Sequence, residues 1–262
     1  MDNNLSEHIY SDETNLELPK FSKCVIAYID LMGIKERIKS QYTLTTLWML
    51  IKSIDSFCKG NRRLYYKAFS DNIVICEKID EHNPNMAIDD VVSIVREIEF
   101  FMFHIEFPFV RGAIVAGDIY YDNDYVLGEA LLKAYSIEQN DAVFPRIIVD
   151  TSVIDLVKSR TIDYVIQDRD GLYFFDYMDA KRSDKSKNLL RAIRTLKANI
   201  IWNLKVNKYN ATIVSKMEWL VNYFNESCEQ FSINCGISMK ELNKIGIRCE
   251  PLRLIACKDK KY

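Results

Sequence analysis

Asp30 closes an almost wholly apolar run, Cys24 to Ile29, and Asp71 sits in the tight turn Phe69-Ser70-Asp71 between two further strand-like segments, Arg63 to Ala68 and Asn72 to Cys76. A short apolar run of this kind reads as a buried strand, and two such segments joined by a turn read as a β-hairpin. One carboxylate at the end of a central strand and another at the tip of the neighbouring hairpin meet over one sheet edge. Two hard anions suit Mg²⁺ or Mn²⁺, which prefer oxygen ligands and retain substrate phosphates in their shell. A pair of divalent ions there supports in-line attack on an α-phosphorus, one activating a 3′-hydroxyl and the other holding the departing pyrophosphate. After Asp30, the run Leu31-Met32-Gly33-Ile34 leads into a helix whose unpaired backbone N–H groups can face a triphosphate, with Gly33 allowing close approach. Each carboxylate also has a plain reading, Asp30 as a helix cap and Ser70-Asp71-Asn72 as an ordinary turn. Their joint occurrence in matching topological slots favours the pair.

The elements that must position this pair follow from periodicity. From Gly33 the pattern turns helical, with Leu44, Leu47, Trp48 and Ile51 on one face. Ala87 to His104 is an amphipathic helix with Val91, Ile94, Val95, Ile98 and Phe101 inward, ended by Pro108, and Val110 to Ala116 is a strand. Asp122-Asn123-Asp124 is a turn, Gly128 to Gln139 a helix, and Arg146 to Val149 a strand after Pro145. The order β-α-β-β-α-β is the ferredoxin-like or palm topology, so the expected class is α/β (α+β) with a mixed, mostly antiparallel sheet and helices packed on it. Beyond Asp150 come a short helix, a strand at Gly171 to Phe175, the charged loop Lys181 to Lys187, and two long helices between Asn188 and Glu229 broken near Tyr209-Asn210. The domain reading is a flexible arm over 1–20, a palm domain over 21–180 and a C-terminal helical extension over 181–262.

Composition narrows the function classes. The 262 residues are 48% hydrophobic and 27% charged, within the soluble globular range and long enough for a sizeable core. Lys+Arg of 35 against Asp+Glu of 37 leaves a net charge of -2, no field for holding a nucleic-acid backbone. Cys24, Cys58, Cys76, Cys228, Cys235, Cys249 and Cys257 are dispersed and form no CxxC pair, which fits reduced thiols and a cytoplasmic location. No stretch has the length and apolarity of a signal peptide or a membrane span. His8, His82 and His104 lack metal-ligand spacing, and Phe100, Phe101, Phe103, Phe107 and Phe109 read as core or interface. GxSxG, GxxxxGK[ST], HExxH and GxGxxG are all absent.

The ordered motifs resemble those of the class III nucleotide cyclases over residues 22–150. The first metal motif matches Tyr28-Ile29-Asp30-Leu31-Met32-Gly33-Ile34 and the second Lys67-Ala68-Phe69-Ser70-Asp71. Val110 to Gly117, Leu127-Gly128-Glu129-Ala130 and Ala134-Tyr135-Ser136-Ile137-Glu138 follow in order. The resemblance implies a metal-dependent cyclase acting as a homodimer with composite sites. Asp30 and Asp71 would be metal ligands aided by the Leu31 carbonyl, and Lys67 a base-recognising lysine. Tyr125 stands where purine cyclases often have an acidic base-reading partner.

This sequence departs from the family on the helix after Gly128. The slots of the transition-state Asn and Arg hold Leu132 and Ser136, so either catalysis is lost or another cation acts, with Lys133, Arg111 or Arg146 as candidates. The run Ala134 to Glu138 with Phe144-Pro145-Arg146-Ile147, and Lys216-Met217-Glu218-Trp219-Leu220 with Tyr223 and Asn225, resembles the bacterial pyrimidine cyclases of Pycsar-type anti-phage systems. That implies UTP or CTP as substrate, a cyclic pyrimidine mononucleotide as product and Mn²⁺ as metal. The competing expectations are a catalytically degenerate nucleotide- or partner-binding protein and a palm-domain polymerase.

Overall fold

The computed structural model describes residues 19–35, 37–61, 63–103, 109–157, 164–178, 187–230 and 233–247. The N-terminal arm up to residue 18, His8, His104, Phe107, Pro108, Cys249, Cys257 and the loop over 181–186 lie outside them. In chain order the elements are β1 (Ser22–Leu31), α1 (Gln41–Gly60), β2 (Leu64–Phe69), β3 (Asn72–Lys78), α2 (Pro84–Phe103) and β4 (Val110–Tyr121). Then come β5 (Val126–Leu127), α3 (Glu129–Asn140), β6 (Ile147–Val149), α4 (Thr151–Leu156), β7 (Val165–Gln167), β8 (Tyr173–Phe175), α5 (Lys187–Val206), α6 (Ala211–Gln230) and α7 (Met239–Lys244).

The expected β-α-β-β-α-β order is present, in a sheet ordered β2-β3-β1-β4-β6-β8-β7 with β5 paired to β4. All pairings are antiparallel except β4 with β6. β1 is central because both of its faces are apolar: Cys24, Val25, Ile26, Ala27 and Ile29 are fully buried. Val25, Ala27, Ile29 and Leu31 join the core under α1 and α2, whereas Cys24, Ile26 and Tyr28 join Ala130 and Ala134 of α3 on the other face. Each buried Val, Ile or Leu among them contributes about 1.5–3 kcal/mol. Gly112 lets β4 approach, since a Cβ there would lie 2.2 Å from the Tyr28 carbonyl oxygen.

Two local expectations are corrected. The chain after Asp30 runs through turns, and α1 starts only at Gln41, behind the extended Ser40. Its buried face is Thr43, Thr46, Leu47, Leu50, Ile54 and Cys58, while Leu44 and Trp48 are more than half exposed. The two threonines keep the helical spacing of that face but hide it from a purely hydrophobic reading. β7 and α7 add to the expected elements; at 3 and 6 residues they are too short for periodicity to mark. The C-terminal helices share the large core, with Ile193, Leu196, Ile200, Leu204, Trp219 and Phe224 in the same cluster as Val91, Ile98 and Phe174. Among the described residues no helix is long and apolar enough to cross a membrane.

Glu77 on β3 is 1% exposed, and burial pushes its carboxyl up to about 7 from an ordinary 4.5. Nearby Asp90 adds to the rise, and the Arg63 ion pair at 3.1 Å opposes it. The folded chain therefore holds this proton up to about pH 7 whereas the unfolded chain releases it near 4.5, so stability falls as pH rises through that window. Thermal unfolding should show a Tm declining between these limits in the wild type and a visibly flatter profile in Glu77→Gln.

Candidate functional site

The two carboxylates are held together by backbone geometry. Phe69 pairs with Asn72, leaving a two-residue turn in which Ser70 takes the left-handed φ of 56°. The Leu31 N–H donates to the Asp71 carbonyl oxygen at 2.8 Å, tying the hairpin tip to the end of β1. Asp30 lies opposite Asn72 on one side and Arg111 on the other. Both aspartates therefore line one cleft of about 580 Å³, a size suited to a small ligand. Leu31, Met32, Gly33, Lys35, Arg37, Phe109 and Arg111 form its sheet side, and Asn203, Asn207, Asn210, Ile213, Lys216 and Met217 of the α5–α6 region form the other.

Arg111 dominates the electrostatics. Its Nε donates to Asp30 Oδ2 at 2.8 Å and its Nη2 lies 2.7 Å from Glu138 Oε1. Glu138 is fully buried on α3, four residues after the core position Ala134. Burial raises its pKa, Arg111 and the Gln139 side chain counter that, and Asp30 and Asp71 add to the rise. Asp71 is 6% exposed, and its Oδ1 accepts from Asn72 Nδ2 at 3.3 Å. Oxygen donors of this hardness fit Mg²⁺ or Mn²⁺. Among the described residues no group of three or more His, Cys, Asp or Glu side chains could hold a metal.

The remaining sequence candidates separate. Gly33 lines the cleft with φ +77°, a value that favours glycine, and a Cβ at that position would meet nothing within 4 Å. Ile34 is a core residue, 3% exposed, and its carbonyl accepts from Arg37 and Ile38, so the segment is a turn and presents no helix start to a phosphate. The Met32 N–H is engaged by the Phe109 carbonyl at 3.0 Å. Lys67 donates to the carbonyls of Asn123 and Asp124 at 3.1 and 3.4 Å, beside Tyr125, which is 63% exposed. Those two are brought to each other and not to the cleft.

Neither Lys133 nor Arg146 reaches the cleft. Lys133 pairs with Asp150 at 2.8 Å; burial raises that carboxyl, but hydrogen bonds from Lys133 and Ser152 outweigh it and hold it below its ordinary value. Asp150 also caps α4. Arg146 is 1% exposed, ion-paired with Asp168 and Asp170, and lies over the rings of Phe144 and Trp219. Trp219 Nε1 donates to the same Asp168 at 2.8 Å, so this cation pins the β7–β8 turn to α6. In the Lys216-to-Leu220 motif, Met217, Trp219 and Leu220 are buried, and Asn225 brackets the Ile237 backbone. Lys216 is the charged member that lines the cleft, a position that helical periodicity alone does not mark.

Removing Arg111 leaves a buried carboxylate without its cation, which destabilises a fold by about 3–5 kcal/mol. Arg111→Met should lower denaturant stability by about that amount, and Arg111→Met with Glu138→Met should recover most of it, as read in a double-mutant cycle.

No protein-family model and no curated protein sequence matches the chain. Among solved structures, the monomeric guanylyl cyclase domain of the RhoGC fusion protein from Blastocladiella emersonii aligns at 14% identity and TM-score 0.46, over 59% of this chain and 94% of that one. The adenylyl cyclase CyaB from P. aeruginosa aligns at 13% identity and TM-score 0.46, over 60% and 94%. The guanylate cyclase domain of RhGC from Catenaria anguillulae, in complex with GTP, aligns at 16% identity and TM-score 0.44, over 59% and 96%.

Proposed function

We propose that the chain is a metal-dependent nucleotide cyclase that converts a pyrimidine nucleoside triphosphate, UTP or CTP, into a 3′,5′-cyclic mononucleotide and pyrophosphate, as a signal in anti-phage defence. The observation that carries this reading is the placement of Asp30 and Asp71 on one cleft that also carries Lys35, Arg37, Arg111 and Lys216. Carboxylates for divalent ions beside cations for oxyanions are what a triphosphate site requires. Asp30 and Asp71 would hold the ions, with the Leu31 carbonyl beside them. Two bound ions would supply activation of the 3′-hydroxyl and charge neutralisation on the pyrophosphate. In the reaction the O3′–Pα bond forms as the bond from Pα to the bridging oxygen of the β-phosphate breaks. Pyrophosphate leaves with that electron pair, and the hydroxyl proton passes to water. The chain's own cations hold the phosphates in line.

The pyrimidine assignment draws on Tyr125, an exposed aromatic beside Lys67 where purine cyclases often carry an acid, and on the resemblance in the Lys216 motif. A homodimer fits the exposed Phe69, Tyr125, Leu127, Leu132 and Tyr135, which leave hairpin tip, β5 and α3 unshielded on the face that carries Lys67. Facing copies would bring one chain's Lys67 towards the other's carboxylates. A second reading, nucleotide binding without turnover, is favoured by Arg111 occupying one oxygen of Asp30 and by the uncharged, exposed Leu132 and Ser136.

Incubation with Mn²⁺ and each of the four NTPs, with products resolved by mass, should yield a cyclic mononucleotide and pyrophosphate from UTP or CTP. Asp30→Asn and Asp71→Asn should each lower kcat by about a thousandfold, the equivalent of about 4 kcal/mol of transition-state stabilisation. Binding of an NTP with no pyrophosphate released would select the non-catalytic reading, and products longer than a mononucleotide would select a polymerase.

A further inference from the structure

The four cleft cations are not equivalent. Arg111 is engaged by Asp30 and Glu138. The Arg37 guanidinium lies 5.3 Å from the ring centre of Trp202. Lys35 is exposed, where its ammonium keeps its hydration. Lys216 differs from all three: it is half-buried on the second turn of α6, and among the described residues its ammonium makes no hydrogen bond and no ion pair. Burial and the like charge of Arg111 push its pKa below the ordinary 10.5, while Asp30 and Glu138 pull the other way. It thus sits in the field of the groups at the cleft's sheet end with no partner of its own among the described residues. A partly desolvated ammonium is unfavourable unless an anion completes it.

The rest of the C-terminal wall is uncharged. Asn203 and Asn207 donate their Nδ2 groups to the carbonyls of Asn199 and Asn203, at 2.9 and 3.0 Å. Asn210 accepts from the Ile213 N–H at 3.2 Å, and Ile213 and Met217 are apolar. Among the described residues Lys216 is therefore the single cation that α5 and α6 bring to the cleft. On α3, the slots at Leu132 and Ser136 are exposed and offer no charge, and Lys133 is paired with Asp150; Arg146, just before β6, is paired with Asp168 and Asp170.

We propose that Lys216 binds a phosphate group of the nucleoside triphosphate, making the α5–α6 extension part of the active site and supplying within the chain a cation that α3 does not bring to the cleft. This inference rests on the triphosphate reading above. It assigns the C-terminal helices a substrate-binding role in addition to their packing one. It also makes the cleft's affinity for polyphosphate depend on a residue far along the chain from both aspartates.

The test is calorimetric titration of the full chain with inorganic tripolyphosphate, with and without Mg²⁺, alongside kinetics with the preferred NTP. Loss of one charge-assisted contact corresponds to roughly a tenfold to hundredfold change. Lys216→Gln should weaken tripolyphosphate binding by that factor and lower kcat/KM, Lys216→Arg should restore both to within a few-fold, and Lys216→Gln should keep a Tm at or above wild type because no bond is lost. Wild-type affinity for tripolyphosphate in Lys216→Gln would overturn the proposal and leave the triphosphate reading standing. A Tm far below wild type would show a structural role and overturn it too. A folded wild type that binds neither tripolyphosphate nor any NTP would overturn both.

Discussion

The guanidinium of Arg111 stands between Asp30 on the neighbouring strand and Glu138 at the buried foot of α3, and the arrangement of the cleft depends on it. Glu138 has no exposed surface, so its charge is tolerated only while a cation lies against it. The same guanidinium lies 2.8 Å from Asp30 Oδ2 and adds its like charge to the field felt by Lys216. Asp30 would hold a divalent ion only by sharing its carboxylate with Arg111, whose guanidinium would keep Glu138 as a partner. With Glu138 beside it, Arg111 would not become an isolated buried charge if Asp30 were drawn to another cation.

That triad exists because the register of β1 with β4 is fixed. Gly112 packs directly against the Tyr28 carbonyl, and β1 is apolar on both faces. A slip of one residue would turn Asp30 and Arg111 to opposite faces of the sheet and part the pair. The hairpin tip is set by the Leu31–Asp71 backbone bond, so the second carboxylate follows from the same strand end. α5 and α6 then close the cleft because their apolar stripes complete the core over α2 and β8.

The sequence makes the sheet and the aspartate pair legible because their signals are local. The uninterrupted Cys24–Ile29 run, the turn at Ser70-Asp71 and the amphipathic α2 each need only short-range pattern. What the sequence hides depends on contacts between distant segments. The role of Glu138 emerges only when α3 is laid on the sheet, where its spacing from Ala130 and Ala134 turns it inward onto Arg111. Arg146 looks like a free cation until β7 and β8 bring Asp168 and Asp170 to it. Lys216 lies in a motif whose other residues pack in the core, and only the crossing of α6 over the cleft distinguishes it. The buried face of α1 escapes a hydrophobic pattern because Thr43 and Thr46 carry it in part.

The most direct measurement is an anomalous-scattering crystal structure of the full chain soaked with Mn²⁺ and a non-reacting NTP analogue. The account predicts Mn²⁺ density within about 2.0–2.3 Å of carboxylate oxygens of both Asp30 and Asp71. The triphosphate should lie along the cleft and Arg111 should be turned away from Asp30 towards Glu138. Mn²⁺ bound elsewhere, or an Arg111–Asp30 pair intact with nucleotide outside the cleft, would contradict it.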